Sequence, residues 1–179
     1  MLRVLRNSQR GGTLTGLVAA MAILSLQWRL PLAAPAPGAG QGGQALAFIV
    51  NKANPVDNLS FQDLRKIFLA ERTRWPNGKS VTLVMQDEGQ SEREVLLRQL
   101  YHMTEGDYHR QVLQAEFTGS LQSDPKLLST PQGVVKFVSF VPGAVGYVTG
   151  GEVSDSVKVI KVDGLLPGQP GYKFNPSPH

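Results

Sequence analysis

Two periodicities alternate along the chain from Leu46 onwards. "LAFIV", Leu46–Val50, is an unbroken apolar run, which predicts a strand buried on both faces. After the turn-rich "NKANPVDN", apolar positions recur at helical spacing. Phe61, Leu64, Ile67 and Phe68 share one face, and Ser60 stands at the N-cap. "TRWPNGKS" stops this helix, and "VTLVMQ", Val81–Gln86, predicts a second strand. Strand, helix and strand over this distance read as a βαβ unit, so these two strands are expected to be parallel with a right-handed crossover.

A second helix is predicted from Ser91, burying Val95, Leu96, Leu100 and Tyr101, and a third from Thr104, presenting Tyr108, Val112 and Leu113. "FTGSLQSDPKLL" reads as a loop. Thr130 followed by Pro131 marks the start of a fourth helix through "VVKFVSF". "PGAVGYV", Pro142–Val148, is a glycine-rich turn into a third strand, and "VKVIKV", Val157–Val162, alternates as a half-exposed edge strand does. The sum is an α/β fold with a small, mostly parallel sheet flanked by helices.

Both ends depart from this pattern. "APAPGAGQGGQ" reads as a flexible linker, and "GLLPGQPGYKFNPSPH", Gly164–His179, as an extended tail. The expected organisation is a leader over 1–36, a linker over 37–45, an α/β domain over 46–163 and the tail over 164–179. In the leader, Arg3, Arg6 and Arg10 precede the 14-residue apolar run "TLTGLVAAMAILSL", which is followed by small residues. That run is shorter than the roughly 20 residues a bilayer span needs. A signal peptide and export to the periplasm or beyond are predicted; no single cleavage site stands out, so an uncut anchor stays open.

Charge follows the same division. The formal net charge is +4, yet the first 36 residues hold Arg3, Arg6, Arg10 and Arg29 and no acid. Removing these four from the 18 basic residues leaves 14 against 14 acidic ones. The predicted domain is formally neutral, which removes the electrostatic case for a nucleic-acid partner. With no cysteine there is no disulfide, and the domain must be held by core burial.

In open α/β sheets ligands sit at the carboxyl ends of strands, beside helix N-termini. "VMQDEGQSERE", Val84–Glu94, is the best such place in this sequence. On one reading Gln86, Gln90 and Ser91 are neutral donors, Arg93 supplies a charge, and Gly89 lets the backbone approach a small oxyanion at an open helix N-terminus. On the other, Ser91 and Glu94 form a capping box that fills the same amides internally, as Ser60 with Asp63 and Thr104 with Asp107 do at equal spacing. Asp87, Glu88 and Glu92 also ring the loop with negative charge. From spacing alone, simple capping is the preferred reading.

Other chemistry is weaker. His102 and His109 are seven apart, which matches no metal-ligand spacing, and read as surface histidines; no metal or cofactor is expected. "ERTRWPNGK" clusters Arg72, Arg74 and Lys79 around Trp75, a surface able to grip an acidic partner or a sugar, but a packed tryptophan in a helix-ending loop is the commoner arrangement. No nucleophile–base pair, GxSxG elbow or phosphate-binding Gly-Lys loop is present, so no catalytic residue is assigned.

The order of motifs resembles the second lobe of the periplasmic phosphate-binding proteins of ABC transporters. That family shows an Asn-Pro segment, a Leu-Ser-x-x-x-Leu helix, an Ile-Phe-Leu-Gly end and a nearby tryptophan; here these fall on Asn54-Pro55, Leu59–Leu64, Ile67–Ala70 and Trp75. "FVPGAVGYV", from Phe140, is similar to the family's late Pro-Gly-Ala-Ile-Gly-Tyr segment. The resemblance spans nearly all of 47–162 and implies one lobe of a type II periplasmic-binding-protein-like fold. The family's phosphate-clasping Arg-x-Asp-Gly-Ser-Gly-Thr falls on Gln86, Glu88, Gly89, Gln90, Ser91 and Glu92, with only the glycine kept. In short, single-lobe relatives an arginine follows where Arg93 stands.

The resemblance implies a non-catalytic module that binds or senses a small oxyanion such as phosphate, with Gln86, Gly89, Gln90, Ser91 and Arg93 at the contact surface. An ABC permease, another envelope protein, or a second copy in a homodimer would serve as partner. The alternative is an envelope interaction module that keeps the fold and has lost ligand binding.

Overall fold

A computed structural model describes residues 43–118 and 124–175. The predicted leader, most of the linker and the last four residues lie outside them. The elements are β1 (Leu46–Asn51), β2 (Asn58–Leu59), α1 (Phe61–Phe68), β3 (Thr82–Gln86), α2 (Ser91–Leu96) continued by a π-helical turn (Leu97–Tyr101), and α3 (Glu105–Thr118). They are followed by β4 (Lys126–Leu128), α4 (Pro131–Phe140), β5 (Ala144–Thr149), β6 (Val157–Val159) and β7 (Lys161–Val162).

Five strands form one sheet in the order β4-β3-β5-β1-β6, and β2 pairs with β7 separately. β3 runs parallel to both β4 and β5, whereas β1 is antiparallel to β5 and to β6. Four of the five strands therefore share a direction, and β1 is the reversed one. The expected parallel β1–β3 unit is corrected: β5 lies between them and β1 runs the other way. An unbroken apolar run reports burial on two faces, but carries no direction.

The segment read as the loop "FTGSLQSDPKLL" also needs correction, because it supplies the end of α3 and the edge strand β4. Three residues are too few to display alternation, and β4 exists through its register with Val84, Met85 and Gln86 of β3. "VKVIKV" is two strands, not one. Its break is Ile160, which is fully buried and donates its N–H to Phe48 O at 3.0 Å.

Side chains alternate to opposite faces of the sheet. Leu46, Phe48 and Val50 of β1 join Val145 and Tyr147 of β5 against α1, α2 and the π-helical turn; Ile49 and Val148 point to the other face, against Val134 and Val138 of α4. Gly146 of β5 sits under α4, where a Cβ would lie 2.8 Å from Val134 Cγ1. Leu113 of α3, expected among the apolar positions, is exposed. Among the described residues no helix is long and apolar enough to cross a membrane.

The ordered unit does not end at 163. Tyr172 and Phe174 are buried in the larger core, and Phe174 meets Phe48 edge-on with ring centroids 4.8 Å apart. Leu46 N donates to Phe174 O at 2.9 Å, and Tyr172 Oη donates to Leu46 O at 2.7 Å. The predicted extended tail is thus a packed segment, at least to Asn175. At the other end Ala45, assigned to the linker, is fully buried and its carbonyl accepts from Gly150 N.

Candidate functional site

β3 and β4 run in parallel and end side by side at Gln86 and Leu128. Each leads into a helix, β3 through Asp87–Gln90 into α2 and β4 through Ser129–Thr130 into α4. The two loops are tied together. Asp87 N donates to Leu128 O at 3.1 Å, and Gln90 Nε2 to Ser129 O at 3.4 Å. Two helix N-termini therefore open at one end of the sheet, where α/β folds hold ligands.

The two ends are filled differently. At α4, Thr130 Oγ1 accepts from Gly133 N at 3.1 Å, and Pro131 has no amide N–H to satisfy. At α2 the boundary residue is Gln90, which makes no side-chain cap bond. Ser91 is already helical and its hydroxyl donates to Glu92 Oε2 at 3.1 Å, so the Ser91–Glu94 capping box does not form. The equally spaced caps elsewhere do form: Ser60 Oγ accepts from Asp63 N at 3.0 Å, and Thr104 Oγ1 from Asp107 N at 3.2 Å, with Thr104 N returning a bond to Asp107 Oδ2. Gly89, with φ +81°, turns the chain so that Gln90 takes the extended cap position. The amides of Ser91 and Glu92 lie ahead of the first intrahelical acceptor.

The five predicted contact residues separate into two layers. Gly89 and Ser91 are exposed and Gln90 is half-buried, with Glu88 exposed and Asp87 and Glu92 half-buried around them. Gln86 and Arg93 lie in the core beneath. Gln86 N donates to Tyr147 Oη at 3.1 Å and Gln86 Nε2 to Tyr147 O at 3.3 Å, while Gln86 Oε1 is buried without a protein partner.

Arg93 is enclosed by partners. Nη1 donates to Gln86 O at 2.8 Å, Nε to both carboxylate oxygens of Glu105 at 3.1 and 3.0 Å, and Nη2 to Glu105 Oε1 at 2.6 Å. The guanidinium carbon stands 5.2 Å from the centre of the Tyr108 ring. Burial works against the Arg93 charge, but the Glu105 carboxylate more than offsets it and holds its pKa above the ordinary value. Burial raises the phenols of Tyr108 and Tyr147 as well. The sequence reading gave no site role to Glu105, Tyr108, Tyr147 or the Ser129–Thr130 loop. Glu105 carried only the signal of an acid in a first helical turn, 12 residues beyond its partner.

The other candidates resolve into structure. Trp75 is buried, with Nε1 donating to Gly143 O at 2.9 Å, so it is a core residue rather than a gripping surface. His102 and His109 are both exposed. Among the described residues no three His, Cys, Asp or Glu side chains are grouped to hold a metal ion.

No protein-family model matches the chain. Among solved structures it is similar to a putative phosphate ABC transporter substrate-binding protein with bound phosphate from Clostridium perfringens, at a TM-score of 0.59 and 21% identity over 73% of this chain and 52% of that one. It is also similar to PstS from Borrelia burgdorferi (TM-score 0.56, 16% identity, 73% and 54% covered). An ABC-type phosphate transport receptor from Vibrio cholerae gives 0.55 and 20% identity, with 69% and 48% covered. The chain therefore shares the fold of these solved structures, type II periplasmic-binding-protein-like, and spans about half the length of these proteins.

Proposed function

We propose that the chain is an exported, non-catalytic binding module of the phosphate-receptor type, which meets a small oxyanion such as phosphate at the 87–92 loop. One observation carries this reading: α2 begins without a side-chain cap, behind a left-handed glycine, at the carboxyl end of a parallel strand. Backbone amides so placed attract anions. Fold likeness to proteins described as phosphate receptors supports the ligand class, and the Arg-rich, apolar leader supports export.

Weak affinity is expected. A receptor of twice this length can enclose a ligand between two lobes, where charged hydrogen bonds are strong. Here the loop faces water, Arg93 is neutralised by Glu105, and Asp87, Glu88 and Glu92 repel anions. Calorimetric titration of the monomer with phosphate should give a dissociation constant near the millimolar range, about −4 kcal/mol. Absence of any heat or thermal shift at millimolar phosphate and sulfate overturns the oxyanion reading, and sub-micromolar affinity overturns the open-site argument. A covering partner, whether a second copy, an ABC permease or another envelope protein, should tighten the binding.

A second reading is an envelope interaction module that keeps the fold without the ligand. The burial of Arg93 against Glu105 favours it. Recovery in complex with an envelope protein, together with stability indifferent to phosphate and sulfate, selects this reading.

A further inference from the structure

We propose that Glu105 sits in the anion seat of Arg93, so that the chain carries its own internal ligand and an incoming oxyanion competes with a helix-borne carboxylate. This rests on the oxyanion reading above and names how that site is regulated. The geometry of the pair is that of ligand recognition: two carboxylate oxygens span Nε and Nη2 of a guanidinium at 2.6 to 3.1 Å, the fork an oxyanion also takes. The guanidinium is held independently of Glu105, by its Nη1 bond to Gln86 O and by the Tyr108 ring. It therefore stays aimed when the carboxylate leaves.

Solvent reaches this pair from one side. The Arg93 side chain is 4% exposed, whereas that of Glu105 is 31% exposed. Glu105, together with Glu94, Leu97 and Met103, lines a cavity of about 490 Å³ that Arg93 does not reach. The carboxylate is thus the stopper over the cation, with open space on its far side to move into. The helix that carries it is held at its first turn, by Glu105 and by the half-buried Tyr108. Its distal half presents exposed Leu113 and Phe117. The first turn is also fixed by the Thr104–Asp107 cap, so the carboxylate leaves by rotation of the Glu105 side chain while Tyr108 and the turn stay in place. Removing Glu105 alone strands a buried positive charge, which an anion from solution would relieve.

The test is Glu105→Gln in the full chain, which keeps the shape and removes the charge. Phosphate titration by calorimetry should show binding at least about tenfold tighter than in the parent. The melting temperature, lowered by the substitution, should recover with phosphate by more than the parent gains. Equal affinity in variant and parent makes Glu105 a structural anchor and overturns the proposal. Should the variant not fold, the parent is titrated to roughly 100 mM phosphate while NMR follows the Arg93 Nε–H resonance beside the amides of Gly89, Gln90 and Ser91. Movement of Arg93 supports the internal-ligand proposal. Movement of the loop amides with Arg93 fixed overturns it and leaves the loop reading standing, and movement of neither overturns both.

Discussion

At the residue scale the site depends on Gln86, whose main chain joins two networks. Its N–H donates to the Tyr147 hydroxyl and its carbonyl accepts from Arg93, so the last residue of β3 is held from both sides just before the loop begins. Removing the hydroxyl in Tyr147→Phe leaves a buried amide without its acceptor, an effect of about 1–3 kcal/mol. Urea denaturation of the variant should show that loss in the midpoint with an unchanged slope. An unaltered midpoint would mean that Tyr147 is held by packing alone. Gln86 was expected at the contact surface because of its position at a strand end, which the sequence does reveal. Its burial beneath the loop comes from Tyr147, 61 residues away, and no local pattern reports it.

At the element scale three segments share one spacing and two of them form the same structure. Ser60 and Thr104 each cap a helix whose third residue is an acid, but Ser91 does not, because the turn at Gly89 moves the boundary back to Gln90. Ser60→Ala and Thr130→Ala should each cost about 1 kcal/mol of stability. Ser91→Ala should change it by less than about 0.5 kcal/mol. Equal losses at all three sites, measured by denaturant midpoint, would restore the capping box at α2. A further cap reaches α1 from outside: Asp163 Oδ1 accepts from Phe61 N at 2.9 Å. That bond, assisted by Lys173, holds the Asp163 carboxyl below the usual carboxylate value. A depressed folded pKa stabilises above the unfolded pKa, near 4, and the contribution is lost as pH falls through the lower folded value. Asp163→Asn, which keeps an acceptor without titrating, should flatten the fall in urea midpoint as pH drops below about 4. An identical acid limb would remove Asp163 from the account. Helix positions and most caps were legible because 3.6-residue periodicity and cap chemistry are local. β4 and the direction of β1 were not, since pairing partners decide them.

At the scale of the whole molecule the chain closes its core with its own end. β1, the reversed strand, begins at Leu46, where the returning segment supplies Phe174 O as an acceptor for Leu46 N and Tyr172 Oη as a donor to Leu46 O. Phe174 sits between Phe48 of the sheet and Phe61 of α1, with ring centroids 4.8 and 5.8 Å away. Gly and Pro content made this segment read as extended, and its turns are indeed glycine turns, at Gly164, Gly168 and Gly171. The overlooked signal is Tyr172 and Phe174, two aromatics at strand spacing in a stretch otherwise rich in Gly and Pro. A domain with no disulfide depends on such burial. Losing one buried phenylalanine typically removes about 3–5 kcal/mol, against a total stability of about 5–15 kcal/mol. A chain stopped after Gly168 loses both aromatics and the hydrogen bonds they bring to β1, so it should melt by roughly 10 °C or more below the parent, or not fold at all. Phe174→Ala in the full-length chain separates the causes: a comparable drop assigns the effect to the ring, and a small one to the backbone bonds at Leu46. If the truncated chain melts with the parent, the segment merely rests on the surface, and the fold is complete by Gly168.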